Sequence, residues 1–401
     1  MLRKLSLCLL FVIMFGGLLN VYTNAQDTKS IEKNDYLRAK VTKVTNQDPK
    51  GESGIKQNLT VTLLDGTDKG REVESTFERI GKISESEKIK VGETVVVVKS
   101  SYKGAYNYFI VEKYRLDGVY FILGIFVLVT IVISRWKGFT SMIGLGLSIL
   151  ILFVVVIPAI LSGMNAMWVC LFGAGLIAVS SMYLAHGINR RTSVALLSTL
   201  LTIVIAAIMA VWFVDITKLF GLGSEEAYYI QAIQFGKIDV RGLLLGGIII
   251  GTLGVLDDIT VSQVSIVEEL WDVDEKLSFF ELFRRGLNIG KEHIASLINT
   301  LALAYVGASF PLLLSINQNQ GKPIWVTLNS EMIVEEVVRT IVGSITLIIA
   351  VPVSTFLAAY FIKYPPKIFK NKKLEEFMKK LEPKNKPAHS HSHSHGHSHK
   401  H

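Results

Sequence analysis

RGLLLGGIIIGTLGVLDDITVSQ, residues 241–263, is an almost uncharged aliphatic run that ends on two adjacent carboxylates, Asp257 and Asp258. From Gly242 to Leu256 there are 15 uncharged residues, which as a helix reach about 22 Å against a hydrocarbon core of roughly 30 Å. The run is too short to finish crossing a bilayer before the aspartates. They therefore lie at the inner hydrocarbon edge, or the helix breaks near Gly254 and turns into a protein-lined cavity. On insertion scales a central Asp costs about 2.5 to 3.5 kcal/mol and each Leu or Ile returns about 0.5, so the run offsets the pair without accounting for it. If the helix continues, Asp258, Ser262, Ser265, Glu269 and Asp272 form one polar seam, while Asp257, Thr260 and Gln263 point elsewhere.

Outward from this segment the composition is that of a polytopic membrane protein: 401 residues, 50% hydrophobic and 19% charged, with a mean hydropathy of +0.41. Apolar runs place seven spans at about 118–134, 139–161, 167–185, 193–216, 241–262, 293–315 and 336–362. Basic residues test the orientation. Arg135, Lys137, Arg190, Arg191 and Lys363 would fall on one side, whereas the loop at 162–166 has none and that at 316–335 only Lys322. The positive-inside rule then puts the C-terminus in the cytoplasm and the N-terminal domain outside. Residues 217–240 read as an interfacial or re-entrant helix. Two amphipathic stretches, VSIVEELWDVD and SFFELFRRGL, lie along the inner leaflet or pack on the bundle.

The N-terminal 25 residues, with Arg3 and Lys4 ahead of an apolar run and Thr23-Asn24-Ala25 after it, read as a signal peptide; an uncleaved anchor is the alternative. Residues 26–116 are polar with strand-like alternation, and Asp65-Gly66 and Lys69-Gly70 supply turns. The expected fold there is a small all-β barrel, OB or SH3-like, on an all-α membrane domain at 117–364. The two cysteines, Cys8 and Cys170, offer no disulfide framework.

A partner for the aspartates is available in KEHIASLINTLALAYVGASF, where His293, Ser296, Thr300, Ala304 and Gly307 share a helix face that is polar at its start and small further on. The competing reading makes Asp257 and Asp258 a helix end or a salt bridge to Arg190, Arg191 or Arg285. Enzyme chemistry finds no residues: adjacent aspartates on one segment do not make an aspartyl dyad, and GxGD, GxSxG, HExxH and P-loop patterns are absent.

GTLGVLDDITVSQ, together with FRRGLNIGKEHIASLINTLALAYVGASFPLLL, resembles the signature region of the YibE/F-like membrane proteins, and the similarity extends over about residues 115–365, taking in AHGINRRTSVALLS and GLGSEEA. The resemblance implies a multi-spanning bacterial membrane protein of a group described as transporters or permeases, with no substrate to inherit. The matching positions are Gly251, Gly254, Asp257, Asp258, Thr260, Ser262, Gln263, His293, Ser296, Asn299 and Thr300.

The basic tail, 365–401, ends in HSHSHSHGHSHKH, which holds seven of the nine histidines: His389, His391, His393, His395, His397, His399 and His401. Such density binds divalent metals; a tail without a role and an appended purification sequence are the alternatives. No cofactor is otherwise expected. The expectation is thus a transporter or permease with a cation or proton site at Asp257, Asp258, Thr260, Ser262, Gln263, His293, Ser296, Asn299 and Thr300, or else a non-transporting scaffold that binds a partner through its exported domain. Its surroundings are the lipid bilayer and no nucleic acid, and a homo-oligomer is left open.

Overall fold

The computed structural model describes residues 35–47, 55–79, 87–102, 105–233, 237–318, 321 and 323–365. The signal-peptide reading and the histidine tail lie outside the described residues. The chain divides into two compact units at Arg135/Trp136.

The first unit is built on a closed barrel of five strands, β1 (Asp35–Gln47), β2 (Ile55–Leu63), β3 (Glu72–Arg79), β4 (Thr94–Tyr102) and β5 (Ala105–Lys113). Their order is β1-β2-β3-β5-β4. β1 is shared between β2 and β4, and β3 meets β5 in parallel, which is the OB-type alternative of the two expected. Strand alternation explains the core: Leu59, Val61 and Leu63 of β2, Val95 and Val97 of β4 and Ile110 of β5 all point inward. Gln57 is buried among them because its amide closes both backbone groups of Ile89, accepting from the N–H at 3.0 Å and donating to the carbonyl at 3.3 Å.

After the barrel comes α1 (Leu116–Ile151), which leaves helical geometry at Arg135, where φ is +50°. This break falls between the first two expected spans. A π-helical stretch, Leu152–Val156, precedes α2 (Ile157–Leu161), where Pro158 has no N–H to keep the α ladder intact.

The second unit continues with α3 (Ala166–His186), α4 (Arg190–Ile216), α5 (Glu225–Ile233), α6 (Val240–Val273), α7 (Phe279–Ala308), α8 (Phe310–Gln318), α9 (Ile324–Leu328) and α10 (Glu331–Lys363). Asn165, Asn189 and Asp239 cap α3, α4 and α6 by accepting from backbone N–H groups three residues on. α6 is the axis of the bundle and packs on α3, α4, α7 and α10.

Among the described residues six segments are long and apolar enough to cross a membrane: Leu116–Trp136, Gly138–Leu161, Ala166–His186, Arg190–Ile216, Val240–Val273 and Glu331–Lys363. The expected span at 293–315 is not among them. Its residues divide between α7 and α8 at Ser309, just ahead of Pro311, and α7 is apolar on one face only. Yet α7 does run the length of the bundle. Gly286 and Gly290 near its start meet Thr355 and Val351, and Leu301 and Tyr305 near its end meet Gly343. It is thus antiparallel to α10. Of the two amphipathic stretches, VSIVEELWDV forms the last turns of α6 and the second the capped start of α7, so both pack on the bundle, the second of the two expectations.

Candidate functional site

α6 passes Asp257 and Asp258 as one unbroken helix, so the break expected after Gly254 does not occur. The helix then turns successive residues toward different neighbours. Asp257 faces α3, where Ser181 Oγ donates to its Oδ2 at 2.9 Å. Its Oδ1 is buried and has no hydrogen-bond partner among the described residues. A carboxylate oxygen in that state lacks what burial normally demands, a donor, a proton or a cation.

Thr260 faces α4. Its hydroxyl lies 2.7 Å from that of Thr199 and donates back to Leu256 O at 3.0 Å. Gln263 faces the other way and clamps three helices: its amide nitrogen donates to Gly286 O of α7 and to Thr355 Oγ1 of α10, both at 2.8 Å. The clamp explains Gly290. A Cβ there would stand 2.5 Å from Val351 Cγ1 and 2.9 Å from Gln263 Oε1, so only a bare backbone fits. Thr260 and Gln263 therefore hold the bundle together around the carboxylates.

Between the sides of α6 that meet α3 and α7 runs an open stripe of Gly247, Gly251, Gly254, Asp258, Glu269 and Asp272, all exposed. The polar seam read from the sequence is this stripe, with Ser262 and Ser265 half-buried along it. Three glycines give it a floor without side chains. Gly254 has nothing within 4 Å of the position a Cβ would take, while at Gly251 the Tyr305 hydroxyl of α7 would be 3.4 Å away.

The expected face of α7 does not close on the aspartates. His293, Ser296, Asn299 and Thr300 are all exposed, and Thr300 Oγ1 donates to Ser296 O of its own helix at 3.0 Å. α7 turns Leu282, Gly286 and Gly290 inward instead. Nor do the aspartates pair with the arginines proposed for them: Arg191 bonds Glu268 at 2.5 Å, and Arg190 donates to Phe361 O.

A second ionisable cluster, at the opposite end of the bundle, escaped the sequence reading. Glu331 Oε1 accepts from three successive backbone N–H groups, Phe220 at 2.6 Å, Gly221 at 2.9 Å and Leu222 at 3.2 Å. One helical turn on, the buried Glu335 accepts from Gly223 N at 2.9 Å. Gly223 sits so close that a Cβ would be 2.6 Å from the Glu335 carboxyl carbon. The loop 220–223 is thereby latched to the start of α10. Asp215 and Arg241 pair at the same end, joining α4 to α6. The readable signal was EMIVEEVVR, 331–339, whose acids recur at the start of an otherwise apolar span.

Among the described residues no group of three or more His, Cys, Asp or Glu is arranged to hold a metal ion. No curated protein and no solved structure matches the chain. The family model of the YibE/F-like proteins matches residues 122–364, which include α6 with its aspartates, the Gln263 clamp and the latched loop. On that match, which takes in more than half of its length, the chain belongs to the YibE/F-like protein family.

Proposed function

We propose that this membrane protein is a transporter or permease, not an enzyme, in which Asp257 and Asp258 bind a small cation or relay a proton. The observation that carries the reading is the Asp257 carboxylate, buried at Oδ1 without a donor and one residue from an aspartate on the open stripe. Ionisable groups inside a membrane bundle are costly to keep and mark ion and proton paths. Here the two carboxylates divide the work. Asp258 meets whatever enters the stripe, and Asp257, steadied by Ser181, offers a second, sheltered oxygen. Oxygen ligands of this kind suit a hard cation or a proton better than a soft metal. No nucleotide-binding loop is present in the sequence, so movement is passive, driven by an ion gradient or powered by a partner.

The same reading puts the barrel outside a bacterial plasma membrane and the tail in the cytoplasm. Arg190, Arg191 and Lys363 gather at one end of the bundle, as positive-inside sorting requires.

The test is flux in proteoliposomes. Proton, Mn, Zn and Mg movement is followed for wild type, Asp257→Asn and Asp258→Asn at equal incorporation. The expected result is flux of at least one of these ions in wild type and a loss of about tenfold or more in each variant, the scale of one lost charge interaction. Silence in wild type, or flux unchanged from wild type in both variants, rejects the reading. Protease added outside the same oriented vesicles should remove the barrel and spare the tail.

A further inference from the structure

The barrel carries a cavity of about 450 Å³ on its outer wall, lined by β2, β3, β5 and the end of β1. That volume lies within the range of small-molecule sites, roughly 300–1,000 Å³. Register builds it. Thr45 pairs with Asn58, Asn58 with Thr76 and Thr76 with Phe109, so four strands present one cross-strand row of two hydroxyls, an amide and an aromatic ring. All four residues line the cavity.

Three further features point to a ligand. Closure of the barrel between β3 and β5 rests on two register pairs, with Ser75 Oγ donating to Tyr108 O at 2.9 Å as a staple, so the seam is narrow beneath the cavity. Phe109 and Tyr106 stand 47% and 60% exposed at its rim, outside the barrel core. The Lys99 ammonium lies 4.2 Å from the centre of the Tyr106 ring and is itself held by Asp68 at 2.6 Å, so that ring is fixed in place before anything binds. Finally, Asn58 Oδ1 is buried with no hydrogen-bond partner among the described residues, a polar group in the cavity wall that still wants one.

Charge selects the ligand class. The wall of an OB-type barrel over its second and third strands is where such folds take extended chains, oligonucleotides or oligosaccharides. A nucleic acid needs a basic groove to track its phosphates. Among the described residues no lysine or arginine lines this cavity, Glu74 is the one charged residue that does, and the nearby Lys99 is already paired with Asp68. Amides, hydroxyls and one carboxylate beside flat aromatic rings match instead a neutral, polyhydroxylated chain, whose ring faces stack on aromatics while its hydroxyls bond the polar row. We propose that the face of the barrel formed by Asn58, Thr76, Tyr106 and Phe109 binds a neutral oligosaccharide. The inference rests on no part of the transport reading.

The test uses the full chain in nanodiscs free of glycoside detergent, titrated calorimetrically with neutral tetrasaccharides (tetra-N-acetylchitotetraose, cellotetraose and maltotetraose) and, separately, with an oligothymidylate and an unstructured neutral peptide. At least one tetrasaccharide should bind saturably. Tyr106→Ala and Phe109→Ala should each weaken it about tenfold, the worth of one stacked ring. Both side chains are exposed, and an unchanged β signal by circular dichroism confirms that the variants stay folded. No saturable binding by any of the three sugars, binding indifferent to both substitutions, or a preference for the oligothymidylate or the peptide would overturn the proposal.

Discussion

Consecutive residues on a helix point about 100° apart, so Asp257 and Asp258 occupy different surroundings although they are neighbours in the chain. Their presence in an apolar run is plain from the sequence. Which one is sheltered is not, because it depends on a hydroxyl from Ser181, 76 positions earlier. Gln263 makes the same point more sharply. It reads as one more polar residue at a span's end, yet it ties α6 to α7 and α10 through Gly286 and Thr355. Replacing it with Leu removes its hydrogen bonds to the Gly286 carbonyl and to Thr355 Oγ1, about 0.5–1.5 kcal/mol each, seen as a lower unfolding temperature of the purified protein; an unchanged temperature contradicts the clamp. In the barrel the hydrogen bond from Lys99, opposed by desolvation, holds the Asp68 carboxyl below its ordinary range. A depressed folded-state pKa means stability that is present above the ordinary value of about 3.9 and lost as pH falls through the lower one. Asp68→Asn should therefore leave barrel stability at about pH 7 with no proton dependence from this site and blunt its fall below about pH 4. Identical acid transitions in the two proteins would count against the pair.

At the scale of elements, amphipathic helices are the least legible in sequence. Hydropathy sums a window without regard to face, so α7, polar on one side, reads as a loop segment followed by a span that begins at 293 instead of a helix from Phe279 to Ala308. Its start was nevertheless written in the sequence: Ser278 and Glu281 bond each other's backbone N–H as a capping box. α6 likewise continues past its expected end at 262, because Val264 and Val267 keep an apolar face on the bundle. Of the latch between α10 and the loop 220–223 only the acids within 331–339 were legible, since backbone N–H groups carry no signature in the sequence. It yields its own prediction. Glu331→Ala removes the acceptor of three N–H groups, so amide exchange in residues 219–223 should accelerate by about tenfold or more while α10 itself stays protected. Equal exchange in wild type and variant would mean that the carboxylate does not hold the loop.

For the whole molecule, alternation and turn residues foretold a small barrel, and run length foretold a helical membrane domain. Barrel closure through the β3 and β5 pairing and the choice of OB over SH3-like type depend on strands far apart in sequence, which local pattern does not specify. The spans were legible wherever helices are apolar all round, while the bounds of the two-faced α7 were not. What unites the membrane unit is the open stripe of α6, bare at three glycines and acidic at Asp258. If ions pass there, blocking it must stop them. The direct measurement places a cysteine at Gly254, where a side chain meets nothing within 4 Å, in a chain with Cys8 changed to Ser and the buried Cys170 kept. Gly254→Cys should retain flux, react with a membrane-impermeant thiol reagent and then lose flux by about tenfold or more. A cysteine that stays unreactive in the folded protein, or that reacts while flux continues unchanged, would contradict ion passage along the stripe.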